Sequence, residues 1–297
     1  MIIFHDPQCV AYSRAGHPER PARIIGTVPL LKDRHSDWQW HKPGLVEAEA
    51  VSRAHSHEHI ARIRNATLDF FDPDTPAYPD IFGHAARAAG AAVDVARTAK
   101  KGDRAFSLMR PPGHHASRDR AMGFCYFNNI AIAALDALAN GAEQVAIWDF
   151  DAHHGNGTED IVADNPGITF ASIHQVPGYP GTGTRSFGNI HNYNVGPFTP
   201  RADHVAEVRR AFENLIELKP DLLLVSAGFD AFAGDPITQM MLQPDDFATF
   251  GGWLNETNIP TGAILEGGYS DELPELIDAF LSSWDRSRNG SPNPAVG

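Results

Sequence analysis

Short apolar runs alternate along the chain with longer amphipathic stretches that are rich in alanine. Four times, a segment with helical spacing precedes a run that is apolar at nearly every position. The four pairs are FGHAARAAGAAVDVARTA before RAFSLM, NNIAIAALDALANGA before QVAIWDF, DHVAEVRRAFENLIELK before DLLLVSAGF, and DDFATFGGWLNET before TGAILEGG. Continuous apolar runs are typical of strands covered on both faces, and their alternation with helices predicts a parallel sheet. We therefore expect an α/β protein with three layers, α/β/α, and a mostly parallel central sheet.

Glycine and proline mark the boundaries of these segments. Gly141 stands where a helix would end ahead of QVAIWDF, and Pro220 separates the helix ending in ELK from the strand after it. The chain has 297 residues, of which 42% are hydrophobic, enough for one large core. We expect a single domain over residues 1–286. The remainder, 287–297, reads SRNGSPNPAVG and has no apolar periodicity, so we expect a disordered tail.

Charge and cysteine content restrict the classes of partner. The chain carries 24 Lys and Arg against 37 Asp and Glu, a formal charge of −13. This balance argues against nucleic-acid and anionic-membrane partners and favours cationic substrates. Cys9 and Cys125 form neither a CxxC pair nor a disulfide framework. With no secretory pattern and no long apolar run, we expect a soluble cytoplasmic protein, and a homo-oligomer is left open.

Ionisable side chains follow the predicted strands at the points where these strands end. His114 and His115 come after AFSLM, the run from Asp149 to His154 comes after QVAIW, Asp230 follows LLLVSAGF, and Tyr269 follows AILEGG. In open parallel sheets, ligands bind outside the carboxyl ends of the strands. We therefore expect these residues, although distant in sequence, to meet at one rim of the sheet.

Asp151, His153 and Asp230 form a donor set that suits a divalent ion such as Zn²⁺ or Fe²⁺. Three protein ligands leave a position for water, whose pKa a metal lowers to near neutrality, and such chemistry suits amide hydrolysis. A base, an acid and an oxyanion donor are also needed, and His114, His115 and Tyr269 are the candidates. Each motif alone has an ordinary structural explanation, but their joint occurrence at successive strand ends favours a site.

The motifs RPPGHHA, GFCYFNN, WDFDAHHGNGTEDI, PGTGT, SAGFDA and LEGGY resemble, in order and spacing, those of the histone deacetylase superfamily. That superfamily includes bacterial acetylpolyamine amidohydrolases and acetoin-utilisation-type proteins. The early GHPERPARI resembles its first loop, so the resemblance extends from Met1 to the mid-280s. It implies an arginase/deacetylase-like fold and a deacetylase catalytic domain over residues 1–286. The motifs are specific for the superfamily and say much less about the substrate.

The resemblance also implies the positions of two kinds of cation. Asp151, His153 and Asp230 would bind a catalytic Zn²⁺, with Fe²⁺ in the cell as the alternative. A structural K⁺ would be held by Asp149, Asp151, Ser172 and the backbone carbonyls of His153 and Ile173. A monovalent cation there would help to keep neighbouring buried carboxylates ionised. His154 is not a ligand in the family.

For catalysis, the resemblance implies that His115 is the general base and delivers the proton to the leaving amine. His114 would be its electrostatic partner, steadied by Asp149. Tyr269 would donate its hydroxyl to the scissile carbonyl and then to the oxyanion. Many relatives have histidine at this last position and hydrolyse acetyl-lysine poorly, so the tyrosine favours deacetylase activity.

Asn156 lies three residues after His153, where many eukaryotic class I members have aspartate. An amide supplies a hydrogen bond without a charge, so the pKa of His115 should be raised less. Class II-like and bacterial members share this feature, and Glu266 in LEGGY indicates the same subgroup.

The resemblance further implies a narrow channel for a linear alkyl chain, with Phe124 and Tyr179 as aromatic walls. Asp74 matches a rim aspartate that accepts backbone N–H groups of a peptidic substrate, and a solvated loop aspartate is the alternative. The expected substrate-binding set is Gly123, Phe124, Tyr179, Asp74, Ile237, Gly267 and Gly268.

Several alternatives for the function stay open. Polyamine-specific relatives have a gatekeeper glutamate where this chain has Ile237, or an acidic insertion for which the segment DTPAYPDIFGHAARAAG is too short. We therefore favour acetyl-lysine in proteins or peptides over acetylpolyamines and other small acylated amines, although the negative charge favours a cationic polyamine. A non-catalytic binding protein for acylated ligands is disfavoured by the intact catalytic set. A binuclear Mn²⁺ ureohydrolase is disfavoured by Gly155 and Gly228, where further carboxylates would be needed.

Overall fold

A parallel sheet runs through residues 1–286, the part of the chain that the computed structural model describes. The strands, numbered along the chain, are β1 (Ile2–Phe4), β2 (Gln39–His41), β3 (Phe70–Asp72), β4 (Thr75–Pro76), β5 (Ala105–Ser107), β6 (Val145–Asp149), β7 (Ile168–Gln175), β8 (Ile190–Val195), β9 (Leu222–Ala227) and β10 (Thr261–Leu265). β3 and β4 form a separate antiparallel ribbon. Within the described residues, the other eight strands have the order β2-β1-β5-β10-β9-β6-β7-β8, and neighbours are parallel.

Helices flank the sheet and complete the expected α/β/α layers. They are α1 (Ala22–Ile25), α2 (Thr27–Arg34), α3 (Ala48–Ala54), α4 (His57–Arg64), α5 (Ile81–Ala99), α6 (Asn129–Ala139), α7 (Asn156–Val162), α8 (Arg201–Glu217), α9 (Pro244–Glu256) and α10 (Leu273–Trp284). All four predicted helix and strand pairs are confirmed. Within residues 1–286, no helix is both long enough and apolar enough to cross a membrane.

Local chemistry explains where the central helices start and stop. The Asn128 side chain accepts a hydrogen bond from the Ala131 N–H and so caps the start of α6. Gly141 follows the end of α6 with a φ of +85°, a conformation that favours glycine. The predicted end of this helix is therefore confirmed within one residue.

The two faces of the sheet are packed differently. Trp148 and Phe150 of the β6 region meet aromatic rings of α9 and α10, with ring centroids 5.4 Å apart for Phe150 and Phe250. On α5 the alanine-rich surface comes close to β10, because a Cβ at Gly262 would lie 2.4 Å from Val95 Cγ1. Bulky aromatic packing on one side and close helix approach on the other hold the central strands in place.

The apolar pattern alone did not predict β1, β2, β7 and β8. β1 and β2 have three residues each, and only β1 has a buried pattern. β8, at the edge of the sheet, is buried at Ile190, Tyr193 and Val195 and more accessible at the positions between them. The expected tail at 287–297 lies outside the described residues.

Candidate active site

Five neighbouring strands of the sheet, β5, β10, β9, β6 and β7, direct their carboxyl ends to one rim. The loop after β5 carries His114 and His115, the loop after β10 carries Tyr269, and the loop after β9 carries Asp230. The loop after β6 carries Asp151 and His153, and that after β7 carries Tyr179. Because parallel strands end at the same edge, residues far apart in sequence are brought together.

Asp151, His153 and Asp230 converge so that one ligand atom from each lies within 4.8 Å of the others. His153 Nδ1 lies 2.8 Å from Asp230 Oδ2 and 3.2 Å from Asp151 Oδ1. The remaining carboxylate oxygens accept backbone N–H groups: Asp151 Oδ2 from Gly267 at 2.7 Å and Asp230 Oδ1 from Ala152 at 2.8 Å. These bonds leave one oxygen of each carboxylate directed at the imidazole.

The same three side chains fit a divalent cation. Both aspartates are fully buried, and the polar contacts of their carboxylates are backbone N–H groups and histidines. Burial alone would lower the pKa of His153, but Asp230 and Asp151 outweigh it and raise the pKa well above 6.5. The field of the two carboxylates therefore favours a positive charge here. Carboxylate oxygen and imidazole nitrogen are also ligand atoms that Zn²⁺ and Fe²⁺ accept in proteins.

His114 and His115 lie side by side in different electrostatic settings, with ring centroids 4.0 Å apart. His114 Nδ1 lies 3.0 Å from Asp149 Oδ2. Burial opposes a charge on His114, but Asp151 and Asp149 outweigh it and raise its pKa to about 10. The pKa of His115 is lowered well below 6.5 by burial, and by the charges of His114 and His153. The pair thus combines a charged and a neutral imidazole.

Asn156 fixes the tautomer of His115. Its Oδ1 lies 2.8 Å from His115 Nδ1, and its Nδ2 is directed towards the His115 carbonyl at 3.4 Å. An amide oxygen only accepts hydrogen bonds, so Nδ1 carries the proton and Nε2 keeps its lone pair. Asn156 begins α7, which places this amide against the loop after β5.

Tyr269 lies against the same site from the opposite side. The residue is only 7% exposed, and its ring meets the edge of Phe124 at 5.7 Å. The Arg23 guanidinium lies over the ring at 4.9 Å, while it donates to the carbonyl of Gly268 at 2.7 Å. Burial raises the pKa of the Tyr269 hydroxyl well above 10, so it keeps its proton.

A cavity of about 210 Å³ connects these groups to the surface. Its walls are formed by Asp74, His115, Gly123, Phe124, His153, Tyr179, Ile237 and Tyr269. The Tyr179 ring meets His115 edge-on at 5.1 Å and is itself 36% exposed, so it lies between the interior and the mouth. The structure thus brings five of the seven expected substrate-binding residues to one cavity.

Gly267 and Gly268 differ from this expectation, because they lie outside the cavity wall. A Cβ at Gly267 would lie 2.2 Å from Asp230 Oδ2 and 2.4 Å from Asp151 Oδ2. A Cβ at Gly268 would lie 2.7 Å from Leu273 Cδ1. The lack of a side chain at Gly267 makes room for the carboxylates of Asp151 and Asp230, whereas Gly268 packs against Leu273 and Phe229.

Asp74 differs from a solvated loop aspartate, because its carboxylate is bonded within the protein. Its Oδ1 accepts hydrogen bonds from the Gly123 N–H at 3.2 Å and from Thr75 Oγ1 at 2.9 Å. Thr75 Oγ1 in turn accepts the Phe124 N–H at 3.0 Å. Phe124 has a φ of +68°, which is unusual for a side chain of this size. The β3–β4 turn therefore holds the aromatic wall in a strained conformation.

Gly155 and Gly228 leave no room for additional carboxylates. A Cβ at Gly228 would lie 2.1 Å from Asp151 Oδ2, and one at Gly155 would lie 2.4 Å from Asp149 Oδ2. Real Cβ atoms do not approach so closely. A larger residue at either position would therefore require Asp149 or Asp151 to move, and the number of metal ions stays a prediction.

The expected potassium ligands lie at the end of β6, in the loop after it and in the middle of β7. Asp149 and Ser172 are opposite each other in the sheet, and both are fully buried. Ser172 Oγ lies 2.9 Å from His174 Nδ1, and Ile173 is the next residue of β7. His154 has other partners, since its Nδ1 is 2.8 Å from Thr182 Oγ1 and its Nε2 is 3.0 Å from Glu159 Oε2.

A buried ion pair behind the site was not predicted. Arg110 is fully buried, and its Nη2 donates to Glu19 Oε2 at 2.7 Å while Nε contacts Oε1. Arg23 Nη1 lies 3.4 Å from Glu19 Oε1. The pair joins the loop containing GHPER to the loop containing RPPGHH. The available signal in the sequence was a charged residue next to a proline in each of the two loops. The two partners lie 91 residues apart, so the sequence does not indicate that they pair.

Glu266 and Asp235 are two further buried carboxylates that sequence reasoning did not place. Glu266 Oε2 accepts the N–H groups of Gly113 at 2.6 Å and His114 at 3.1 Å. Burial raises the pKa of Glu266 to about 7. Burial and the neighbouring charge of Asp230 likewise raise the pKa of Asp235 to about 7. The Asp-Pro sequence at 235–236, typical of a turn, was the available signal for the second.

Comparisons with known proteins indicate one family. The sequence matches the family model of the histone deacetylase domain over residues 17–283. A probable deacetylase of Methanothermobacter thermautotrophicus is 34% identical, over 96% of this chain and 91% of its own length. Acetylpolyamine amidohydrolase 2 of Pseudomonas aeruginosa is 33% identical, over 86% of this chain and 78% of its own length. The crystal structure of the HDA15 HD domain has a TM-score of 0.88 at 29% identity, covering 96% of this chain and 90% of that chain.

Proposed function

Because the chain belongs to the histone deacetylase family, we propose that it hydrolyses the amide of an acetylated amine, with acetyl-lysine in proteins or peptides as the substrate. The observation that carries this proposal is the meeting of His115, His153 and Tyr269 on the wall of one narrow cavity. A base, a metal ligand and a hydroxyl donor thereby face the same space. This is the combination that amide hydrolysis requires.

In this proposal, Asp151, His153 and Asp230 hold Zn²⁺, with Fe²⁺ as the alternative in the cell. When bound, the dication polarises the substrate carbonyl and makes water more acidic. The N–H groups of Gly267 and Ala152 fix the two carboxylates, so that the ligands are oriented before any ion binds. A K⁺ held by Asp149, Asp151, Ser172 and the carbonyls of His153 and Ile173 remains part of the proposal.

His115 is suited to transfer a proton from the attacking water to the leaving nitrogen. Its Nε2 carries the lone pair, because Nδ1 donates to Asn156. The ring is neutral near pH 7, so it can take a proton from the attacking water and pass it to the leaving nitrogen. The cationic His114, held by Asp149, limits the basicity of its neighbour and so eases the second transfer.

Tyr269 supplies the hydrogen bond for the oxyanion. Its hydroxyl stays protonated throughout the physiological range, and its ring is fixed between Phe124 and Arg23. A preorganised donor of this kind is worth about two to three orders of magnitude in turnover. The overall reaction converts amide and water into free amine and acetate.

The cavity favours a substrate in which the acylated amine ends a linear chain. Such a substrate carries no second charge near the cavity mouth. Phe124 and Tyr179 provide aromatic surface for a methylene stem, and Ile237 places an apolar side chain at the entrance. A carboxylate at that position would favour a polyamine, which carries further ammonium groups. Asp74 Oδ1 is engaged by Gly123, and the carboxylate is still half-buried at the cavity wall, where it can accept a substrate N–H. Acetylpolyamine hydrolysis is the second candidate, because a curated relative carries that name.

The test is turnover by the metal-reconstituted protein, with metal content determined, on acetyl-lysine peptides, free acetyl-lysine and acetylated polyamines. Peptide preference is the expected result, and polyamine preference would replace the proposed substrate. Tyr269→Phe should lower kcat by about 10²–10³-fold while metal content stays the same. Tyr193→Phe is the matched control, because the Tyr193 hydroxyl bonds Asn214 at 2.7 Å, outside the cavity. Equal kcat in both variants would refute the role of Tyr269, and no turnover of any substrate would favour an acyl-ligand binding protein.

A further inference from the structure

Asp235 links two loops of the site although it lies outside the cavity wall. It is 7% exposed and lies in the loop after β9, five positions beyond Asp230. Its Oδ2 accepts the backbone N–H of Tyr269 at 2.7 Å, across 34 residues. Its Oδ1 accepts the N–H of Ile237 at 3.1 Å. One carboxylate therefore contacts both the residue with the hydroxyl donor and the residue at the mouth.

The carboxylate is firmly attached to its own loop. The N–H of Asp235 donates to the Phe232 carbonyl at 2.9 Å. Pro236 follows, which restricts the backbone of Asp235 to extended conformations. The bond from the Ile237 N–H to Oδ1 closes a turn of the Asx type, in which the side chain bonds its own backbone two residues on. Asp235 is thus a rigid point from which Tyr269 can be held.

Tyr269 needs such an attachment because the chain before it has little conformational preference of its own. Gly267 and Gly268 precede it, and Gly268 has a φ of +117°, a region open mainly to glycine. The contacts of the ring with Phe124 and Arg23 limit its sideways movement. The bond to Asp235 is made by the backbone of Tyr269 itself, so it sets how far the side chain extends into the cavity.

We propose that Asp235 is a positioning residue, which sets the place of the Tyr269 hydroxyl relative to the metal ligands by accepting the Tyr269 N–H. The inference rests on the proposed function, because it gives Tyr269 a part in turnover. Asp235 shares its loop with Asp230, so the same segment that supplies a metal ligand also fixes the hydroxyl donor. A shift of about 1 Å in such a group can cost about 10²-fold in rate.

Two substitutions separate this role from a purely structural one. In Asp235→Ser, the short hydroxyl can still accept the Ile237 N–H and keep the turn, but it cannot reach Tyr269. In Asp235→Asn, one of the two acceptor oxygens is replaced by a donor, so one backbone N–H loses its partner. We expect both variants to lower kcat by about 10-fold to 100-fold, with a smaller change in KM.

The decisive measurement is a double-mutant cycle with Tyr269→Phe. If Asp235 acts through the Tyr269 hydroxyl, Asp235→Ser should lower kcat strongly in the wild-type background and by less than about 2-fold in the Tyr269→Phe background. Equal losses in both backgrounds would overturn the proposal and indicate a general structural role. If Asp235→Ser does not fold, the same cycle with Asp235→Asn decides the question.

Asp246→Asn is the matched control. Asp246 is also a buried aspartate that accepts a backbone N–H, from Gln243 at 2.8 Å, but it caps α9 and bonds Arg201 away from the cavity. Its substitution should lower stability and leave kcat within about 2-fold of wild type. Loss of kcat in Tyr269→Phe with full activity in Asp235→Ser would overturn the present inference alone. Full activity in Tyr269→Phe would overturn the proposed function of Tyr269 as well.

Discussion

Replacing Glu19, the buried partner of Arg110, with a neutral side chain should strongly lower the stability of the protein. Glu19 is 2% exposed, and Arg110 is fully buried. Burial alone would raise the pKa of Glu19, but Arg110 outweighs it and holds this pKa below 4.5, so the carboxylate is ionised at neutral pH. Glu19→Gln keeps the shape and removes the charge, which leaves Arg110 and Arg23 without their counter-ion in the interior.

The expected decrease in the free energy of unfolding is set by the desolvation of those guanidinium groups. Removing one partner of a buried ion pair costs about 3–5 kcal/mol, because the remaining charge is uncompensated. Arg110 keeps a hydrogen bond to the Cys9 carbonyl at 2.8 Å, which reduces the loss towards the lower end of that range. For a domain of this size, 1 kcal/mol corresponds to about 2–4 °C in Tm, so we expect a decrease of about 10 °C.

Glu275→Gln provides the control for the chemistry of the substitution. Glu275 pairs with Arg34 at 2.6 Å, but both side chains are about half exposed, at 52% and 43%. Exposed ion pairs contribute less than about 1 kcal/mol, so Tm should change by no more than about 3 °C. The assay is thermal and urea unfolding of both variants beside the wild type. If the two variants showed equal, small changes in stability, the interior ion pair would contribute no more to stability than a surface ion pair.

Two further predictions concern metal binding and acid. Gly228→Ala should lower metal affinity about 10–100-fold, measured by titration of the metal-free protein, because its Cβ would lie 2.1 Å from Asp151 Oδ2. Gly252→Ala, where no atom lies within 4 Å of the added Cβ, should bind metal normally, and equal affinities would contradict the argument. Burial lowers the pKa of His55 to about 3. Between pH 6.5 and pH 3 the unfolded chain therefore binds a proton at His55 that the folded chain does not bind, so stability falls as the pH drops through this range. His55→Gln should therefore be less destabilising at pH 5 than at pH 7, by about 2 kcal/mol in urea unfolding, and a pH-independent difference would refute this.

The sequence predicted the part of the molecule where local pattern and chemistry coincide. Asp151 and His153 follow an unbroken apolar run, and such a run ending in charged residues is visible without knowledge of the fold. The meeting of these residues with Asp230 followed from the rule for parallel strands. The position of Gly267 and Gly268 outside the cavity wall was not predictable, because it depends on the close approach of Asp151 and Asp230 to Gly267 and of Leu273 and Phe229 to Gly268.

Long-range pairs between loops were also beyond the sequence. Glu19 meets Arg110 across 91 residues, and Asp235 meets Tyr269 across 34. No periodicity connects such residues, since loops have no repeating geometry. The internal bonds of Asp74 were missed for the same reason, because its partner Gly123 lies 49 residues along the chain. Each of these contacts depends on the tertiary arrangement of the loops.

The proposed metal ligands follow two neighbouring strands, and this arrangement has a consequence for the folding of the chain. His153 and Asp230 lie 77 residues apart, at the ends of β6 and β9. An ion held by both would act as a reversible cross-link that closes a long loop of the chain. Because it binds only when both strands are in register, its binding free energy adds to the stability of the centre of the sheet. Depletion of the metal should therefore speed hydrogen exchange in β6 and β9 more than in the edge strands β2 and β8.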